Sequence, residues 1–194
     1  MGALRPSFRV AGILSCPHFL FGGIKSKRTH KLAHAAMIAA LYVLLTHLQN
    51  TLFPGTATWA IQCRASEALC VLAFVSPTAI TGLSVGCFLF NLTFAAALPM
   101  DMLIGTAATA LACLCMYKTR NLAIKGFPLV GLLMPAIWNA LLVGWELTVY
   151  IGGGFFLNAA YVAAGELIVL LTLGSALYYL LKNRRIAARL FEKE

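Results

Sequence analysis

The feature that most constrains the fold of this sequence is a series of long apolar stretches separated by short polar segments. They run approximately over residues 33–50, 67–81, 83–98, 102–117, 127–151 and 155–181. Of the 194 residues 61% are hydrophobic and 11% charged, whereas about a quarter of the residues in soluble domains are charged. Because roughly 20 apolar residues cross a bilayer as a helix, the sequence predicts an all-α integral membrane bundle of six transmembrane helices.

The second and third stretches together are too short for two spans of full length. We therefore expect two short or tilted helices, with a break at Pro77 to Gly82, where proline and glycine interrupt the apolar pattern.

The basic residues indicate how the helices are oriented. Six Lys and Arg residues precede the first span, three lie between the fourth and fifth, five follow the sixth, and Arg64 alone lies elsewhere. Basic residues collect in cytoplasmic loops, so this distribution predicts that both termini are cytoplasmic. The net charge of +9 then reflects topology, and no nucleic-acid partner is expected.

The same argument divides the chain into three parts. Residues 1–31 are predicted to be a basic cytoplasmic N-terminal tail, residues 32–182 the six-helix transmembrane domain that binds substrate, and residues 183–194 a cytoplasmic C-terminal tail. A signal sequence ending at Cys16 is the less favoured alternative, because its apolar core is too short. The six cysteines lack metal-ligand spacing, so neither disulfides nor a metal site nor another cofactor is expected.

Four carboxylates lie within or at the rim of the apolar stretches. They are Glu67, Asp101, Glu146 and Glu166. An acid at the centre of a membrane helix costs about 2.5 to 3.5 kcal/mol on insertion scales, so acids in such positions are candidates for function.

The surroundings of these acids differ. Asp101 follows Pro99 at the start of the fourth span, where a helix N-terminal cap is the favoured interpretation. Glu67 lies one turn after Arg64, so a salt bridge at the outer rim and direct ligand binding are both open. Glu146 and Glu166 have no basic residue within two turns, which favours a functional role over a buried protonated acid.

The fifth span repeats an aromatic–polar pair in "WNALLVGWE". Trp138 and Asn139 recur seven residues later as Trp145 and Glu146, which places aromatic and polar side chains along one side of the helix. The next span begins with Asn158 and carries Glu166. A ligand pocket that opens outward between the last two helices is the simplest use of this pattern, although Trp145 also fits an aromatic belt.

Small residues recur at four-residue spacing in two spans. Ala35 with Ala39, and Ala36 with Ala40, form such pairs in the first span and are candidates for a partner interface. Gly82 and Gly86 in the third span repeat the spacing, and there packing within the bundle is preferred.

Several of these segments resemble those of a known family. The runs "IQCRASEALCVLAFVSPTAITGL", "CFLFNL", "NALLVGWEL" and "LNAAYVAAGELIVLLTLG" are similar to QueT-type queuosine-precursor transporters, which are substrate-binding S components of energy-coupling factor (ECF) importers. The resemblance covers roughly residues 32–182, and its most specific part is the cluster Gln62, Arg64, Ser66 and Glu67. Cys63 and the N-terminal tail depart from the family pattern.

The resemblance implies a multi-pass protein of the bacterial plasma membrane that takes a 7-deazaguanine from outside. Such a protein is no enzyme: it lies in membrane lipid and works with an ECF coupling transmembrane subunit and two ATPase subunits. The chain contains no P-loop motif for a nucleotide. Gln62 and Arg64 would then belong to an outer gate above the pocket, with Glu67 beside it.

A 7-deazaguanine suits the polar residues of the last two spans. Its pairing edge carries adjacent N–H donors that Glu146 or Glu166 can accept, and its flat face can stack on Trp138 or Trp145. Asn139 and Asn158 can donate to the ring carbonyl or accept from an amine. The nitrile, aminomethyl and free-base precursors all remain open.

Other functions are also open. The chain could serve another vitamin-like ligand, act alone as a proton-coupled carrier, or be an intramembrane enzyme that uses Glu146 or Glu166 as a general acid or base. The last three spans contain no histidine to assist catalysis, and the two halves of the chain show no convincing repeat of the kind common in carriers.

Overall fold

In the computed structural model of the chain, the residues described are 22–56, 63–94, 98, 100–124 and 126–183. They form helices, connecting loops and one isolated bridge between Ile124 and Phe127. In chain order the helices are α1 (Gly22–Leu52), a 3₁₀ helix (Ala65–Phe74), α2 (Thr78–Thr93), α3 (Asp101–Thr119), α4 (Leu129–Leu132), α5 (Met134–Tyr150), α6 (Phe155–Val169), a π turn (Leu170–Gly174) and α7 (Ser175–Lys182).

The predicted all-α membrane fold is confirmed in outline. Four segments of the described chain are long and apolar enough to cross a membrane, namely Lys27–Leu52, Asp101–Thr119, Leu129–Tyr150 and Phe155–Lys182. The 3₁₀ helix and α2 are apolar but shorter. The count of six spans and the cytoplasmic position of both termini stay predictions.

The break between the second and third stretches lies earlier than expected. Helical structure stops at Phe74 and resumes at Thr78, so the segment Thr78–Gly82 belongs to α2. Pro77, which has no N–H to donate, immediately precedes α2, a position where proline costs a helix nothing. The hydroxyl of Ser76 accepts a hydrogen bond from the Thr78 N–H (3.1 Å) and supports the new helix start.

Gly82 lies within α2 at a point where α1 and α2 approach each other closely. A Cβ atom on Gly82 would lie 2.7 Å from the Ala35 carbonyl oxygen, and one on Gly86 would lie 2.8 Å from the Tyr42 Cβ. The two glycines therefore have the packing role predicted for them. Ala39 lies in the same contact and is buried, whereas Ala36 and Ala40 are exposed.

Charged residues separate along the bundle axis. We call the end that contains the start of α1, the turn Val75–Pro77 and the C-termini of α3 and α7 the basic end. Lys31 lies beside Pro77, and Arg120 and Lys182 lie beside Val75. The opposite end contains the starts of the 3₁₀ helix and α3 and the turn from α5 to α6.

Candidate ligand-binding site

Buried polar side chains converge below the opposite end of the bundle. They come from the 3₁₀ helix and the residue before it, and from α2, α3, α5 and α6; none is more than 6% exposed. We call this set the polar cluster; it consists of Arg64, Glu67, Asn91, Asp101, Asn139, Glu146 and Glu166. Arg64 is near enough to all four carboxylates of the cluster to interact with them electrostatically. The cluster therefore contains one basic side chain and four acidic ones.

Asp101 is the carboxylate that Arg64 faces at ion-pair distance. The Arg64 Nη2 lies 3.8 Å from the Asp101 Oδ1, and both side chains are almost fully buried. The Asn91 Nδ2 donates to the Asp101 carbonyl oxygen (2.8 Å) and holds the start of α3 in place. Gly105, one turn later, leaves room for this arrangement, because a Cβ there would lie 2.9 Å from the Asn91 Nδ2. Asp101 is the first residue of α3, but the N-cap position is occupied by Met100 and no side chain of the described residues caps the helix. The Asp101 carboxylate instead faces Arg64.

Glu67 belongs to a separate hydrogen-bond network. Its Oε1 accepts from the Tyr42 hydroxyl (2.7 Å) and the Thr109 hydroxyl (3.2 Å), and its Oε2 accepts from the Cys70 thiol (3.1 Å). Both carboxylate oxygens are therefore occupied by groups from α1, α3 and the 3₁₀ helix. This geometry describes a tie between three helices, and ligand binding by Glu67 stays a prediction.

Glu146, Glu166 and Asn139 leave acceptor atoms open. The Asn139 Nδ2 donates to the Glu166 Oε1 (3.3 Å), which connects α5 to α6. The Glu166 Oε2, the Asn139 Oδ1 and both oxygens of Glu146 are buried and accept no hydrogen bond from an N–H or hydroxyl in the described part of the chain. The Glu146 carboxyl lies next to that of Asp101 at the start of α3. Unpaired buried acceptors are costly, so these atoms call for an explanation beyond the contacts of the described residues.

The other residues predicted for the pocket are placed differently. Asn158 donates to the Thr148 hydroxyl (3.0 Å) and the Gly152 carbonyl oxygen (3.0 Å), so it fastens the turn from α5 to α6. Trp145 is 50% exposed on the outer surface, as the aromatic-belt alternative requires. Trp138 is half-buried next to Asn139. Gln62 lies outside the described residues.

Gln49 fastens the segment that leads from α1 to Arg64. Its Nε2 donates to the Thr56 hydroxyl (3.0 Å) and to the Cys63 carbonyl oxygen, and its Oε1 accepts from the Ala65 N–H (2.7 Å). Nearby, the Thr46 hydroxyl donates to the Ser66 hydroxyl (2.7 Å). We did not predict these contacts from the sequence, where Gln49 is one polar residue near the end of an apolar stretch.

Cys63 lies at the boundary between this segment and the polar cluster. The thiol is half-buried, and burial together with the nearby Glu166 carboxylate raises the pKa of Cys63 above its ordinary value. Cys63 therefore lies close enough to Glu166 to feel its charge.

An acid-rich cluster enclosed by apolar helices is typical of membrane proteins that handle a polar ligand. The fold and the site thus define a multi-pass membrane protein with a buried acid-rich site. The model of the QueT transporter family matches residues 32–183, which is more than half of the chain. The chain belongs to the QueT transporter family, and its role is transport rather than catalysis. No curated protein and no solved structure matches the chain.

Proposed function

We propose that this protein is the substrate-capture subunit of an ECF-type importer in the bacterial plasma membrane. It binds a queuosine precursor, a 7-deazaguanine, from the outside and releases it inward with the help of a coupling subunit and two ATPase subunits. In this proposal residues 32–182 are the transmembrane domain, both terminal segments are cytoplasmic, and the opposite end of the bundle faces outward.

The observation that carries the proposal is the set of open acceptor atoms on α5 and α6. Two oxygens of Glu146, one of Glu166 and one of Asn139 are buried and accept no hydrogen bond from an N–H or hydroxyl of the described residues. The pairing edge of a 7-deazaguanine brings adjacent N–H donors, which fit a carboxylate in a bidentate way. The family membership selects deazaguanines among the small flat ligands with such an edge.

Calorimetry on the purified protein tests the ligand assignment. We expect binding of a 7-deazaguanine and no binding of riboflavin, thiamine or folate. Glu146→Gln and Glu166→Gln should each weaken binding at least about tenfold, because an amide presents an N–H where the ligand needs an acceptor. Glu192→Gln, which removes a carboxylate from the C-terminal segment, is the matched control. Unchanged affinity in both test variants, or tight binding of another vitamin, contradicts the assignment.

For the coupling subunit, the exposed residues Ala36 and Ala40 are the best candidates on α1. Both are exposed, and Ala36 lines an apolar groove of about 580 Å³ between α1 and α2. Small side chains allow another helix to approach closely. Ala35 and Ala39, predicted from the sequence as part of the same interface, have atoms in the α1–α2 contact, and Ala35 also lines the groove; their part in a partner interface stays a prediction.

Substitution on the two sides of α1 separates these roles. Ala36→Trp and Ala40→Trp should abolish ATP-driven uptake and leave ligand binding by the isolated protein unchanged. Ala39→Trp should disturb folding and binding together, since Ala39 packs against Gly86. Uptake that survives both exposed substitutions rejects this interface, and uptake without the ATPase subunits favours a stand-alone carrier.

A further inference from the structure

A small pocket at the basic end lies away from the polar cluster. It has a volume of about 260 Å³ and lies between the end of the 3₁₀ helix, the end of α3 and α7. Its lining includes the apolar or aromatic side chains of Phe74, Val75 and Tyr178. It also includes Arg120, Asn121 and Lys182. The pocket is therefore amphipathic, with cationic and amide groups beside apolar ones.

Arg120 and Lys182 project from the C-terminal ends of two helices and are exposed. The Arg120 guanidinium lies 4.1 Å from the centre of the Tyr117 ring, which holds it at the rim. None of the described carboxylates lies at the basic end, since all four belong to the polar cluster. The field at this pocket is thus positive without compensation from acids in the described part of the chain.

We propose that this pocket binds the headgroup of an anionic phospholipid. Basic pockets at helix ends on the cytoplasmic side of a membrane attract acidic headgroups. The phosphate would lie between Arg120 and Lys182, Asn121 would donate to a headgroup oxygen, and the acyl chains would leave along Val75. The pocket is too small for a partner helix, whose diameter with side chains is about 10–12 Å, and its mixed lining suits an amphiphile.

Native mass spectrometry can test the proposal on the full-length protein. The protein is released from bilayer discs that contain equal amounts of phosphatidylglycerol and phosphatidylcholine, and the lipids retained are counted. We expect preferential retention of phosphatidylglycerol. Arg120→Gln and Lys182→Gln should each lower that preference about fivefold, the effect of one basic side chain near an anionic surface.

Lys118→Gln is the matched control, because Lys118 is exposed in the last turn of α3 and does not line the pocket. If basic residues served only to neutralise helix C-termini, all three substitutions would have the same effect. Two substituted positions in different helices keep the test valid should Arg120→Gln fail to fold.

Four results would overturn the proposal. The first is equal retention of the two lipids. The second is the same loss of preference in Lys118→Gln as in the test variants. The third is full displacement of the lipid by glycerol phosphate, which has no acyl chains and would indicate a site for a soluble anion. The fourth is that the test variants keep the lipid but lose assembly with a coupling subunit, which would assign the pocket to a protein partner. The measurement does not involve substrate, so it is independent of the proposed ligand.

Discussion

At the scale of single residues, the cost of burying an acid is the reason why the sequence points to particular side chains. Glu146 and Glu166 stood out because an acid within an apolar stretch is costly, and both are fully buried. The partner of Arg64 could not be read from the chain, since Asp101 lies far away in sequence. Arg64 precedes the 3₁₀ helix in an extended conformation, so its side chain does not share the helix face on which Glu67 lies.

A double-mutant cycle measures the Arg64–Asp101 pair. Arg64→Ala and Asp101→Ala should each destabilise the protein by about 3 to 5 kcal/mol, because each leaves a buried charge without its partner. The double variant should be less unstable than the sum of the single changes, with a coupling free energy above about 0.5 kcal/mol. The measurement is unfolding in detergent monitored by helical circular dichroism.

The cycle of Arg64→Ala with Glu67→Ala is the comparison, because Glu67 is occupied by Tyr42, Thr109 and Cys70. We expect weaker coupling in this second cycle. Stronger coupling to Glu67 than to Asp101 would contradict the pairing in the structure and restore the salt bridge considered from sequence spacing.

At the scale of elements, hydrophobic periodicity predicted where apolar helices lie but not their type. The stretch after Arg64 forms a 3₁₀ helix of 10 residues, longer than such helices usually are. With a rise of about 2.0 Å per residue it covers about 20 Å, the length of 13 α-helical residues. A pattern of apolar residues does not distinguish these forms, because the consecutive residues from Ser66 to Ala73 are all buried and show no exposed face.

Close approach of α1 and α2 gives a stability prediction. Gly86→Ala should lower the melting temperature, since its Cβ would press on backbone and Cβ atoms of Ala39 and Tyr42 that cannot move aside. Overpacking costs about 1 to 3 kcal/mol, and the better helix propensity of Ala returns up to about 1 kcal/mol. Gly174→Ala is the control, because its nearest neighbour is the end of a flexible Leu132 side chain at 3.4 Å. Equal melting temperatures for both variants would contradict the close contact.

The segment that joins α1 to the 3₁₀ helix offers a direct report of ligand binding. Cys63 is half-buried near Glu166, so a ligand held by Glu166 should slow its reaction with a small maleimide. Cys115, a half-buried thiol near the basic end, should react at the same rate with and without ligand. The experiment uses a Cys16→Ser background and follows each site by peptide mass spectrometry. Equal protection of both cysteines would indicate general tightening instead of a ligand beside Cys63.

At the scale of the whole molecule, the sequence predicted that basic residues are separated from the acids, and in the structure the two groups lie towards opposite ends of the bundle. The basic groups at the start of α1 and the ends of α3 and α7 meet at one end, although they are far apart in the chain. The acids meet in the polar cluster nearer the other end. Counting Lys and Arg in each loop predicts this arrangement because basic loops stay on the cytoplasmic side of a membrane. The contacts of the acids within the cluster depend on how the helices pack, which such a count does not describe.

This separation leads to a prediction of orientation that is independent of ligand and partners. Pro54, after α1, and Asn121, after α3, are both exposed and lie in loops at opposite ends of the bundle. In a parent without Cys16 and Cys63, Pro54→Cys should react with a membrane-impermeant maleimide on intact cells, and Asn121→Cys should react only after the cells are opened. Six membrane crossings with cytoplasmic termini require this result, because the two loops are separated by three traverses: the 3₁₀ helix, α2 and α3. Labelling of both positions from outside would mean that an even number of spans separates the two loops. The 3₁₀ helix and α2 would then cross the membrane together as one span, which contradicts six crossings.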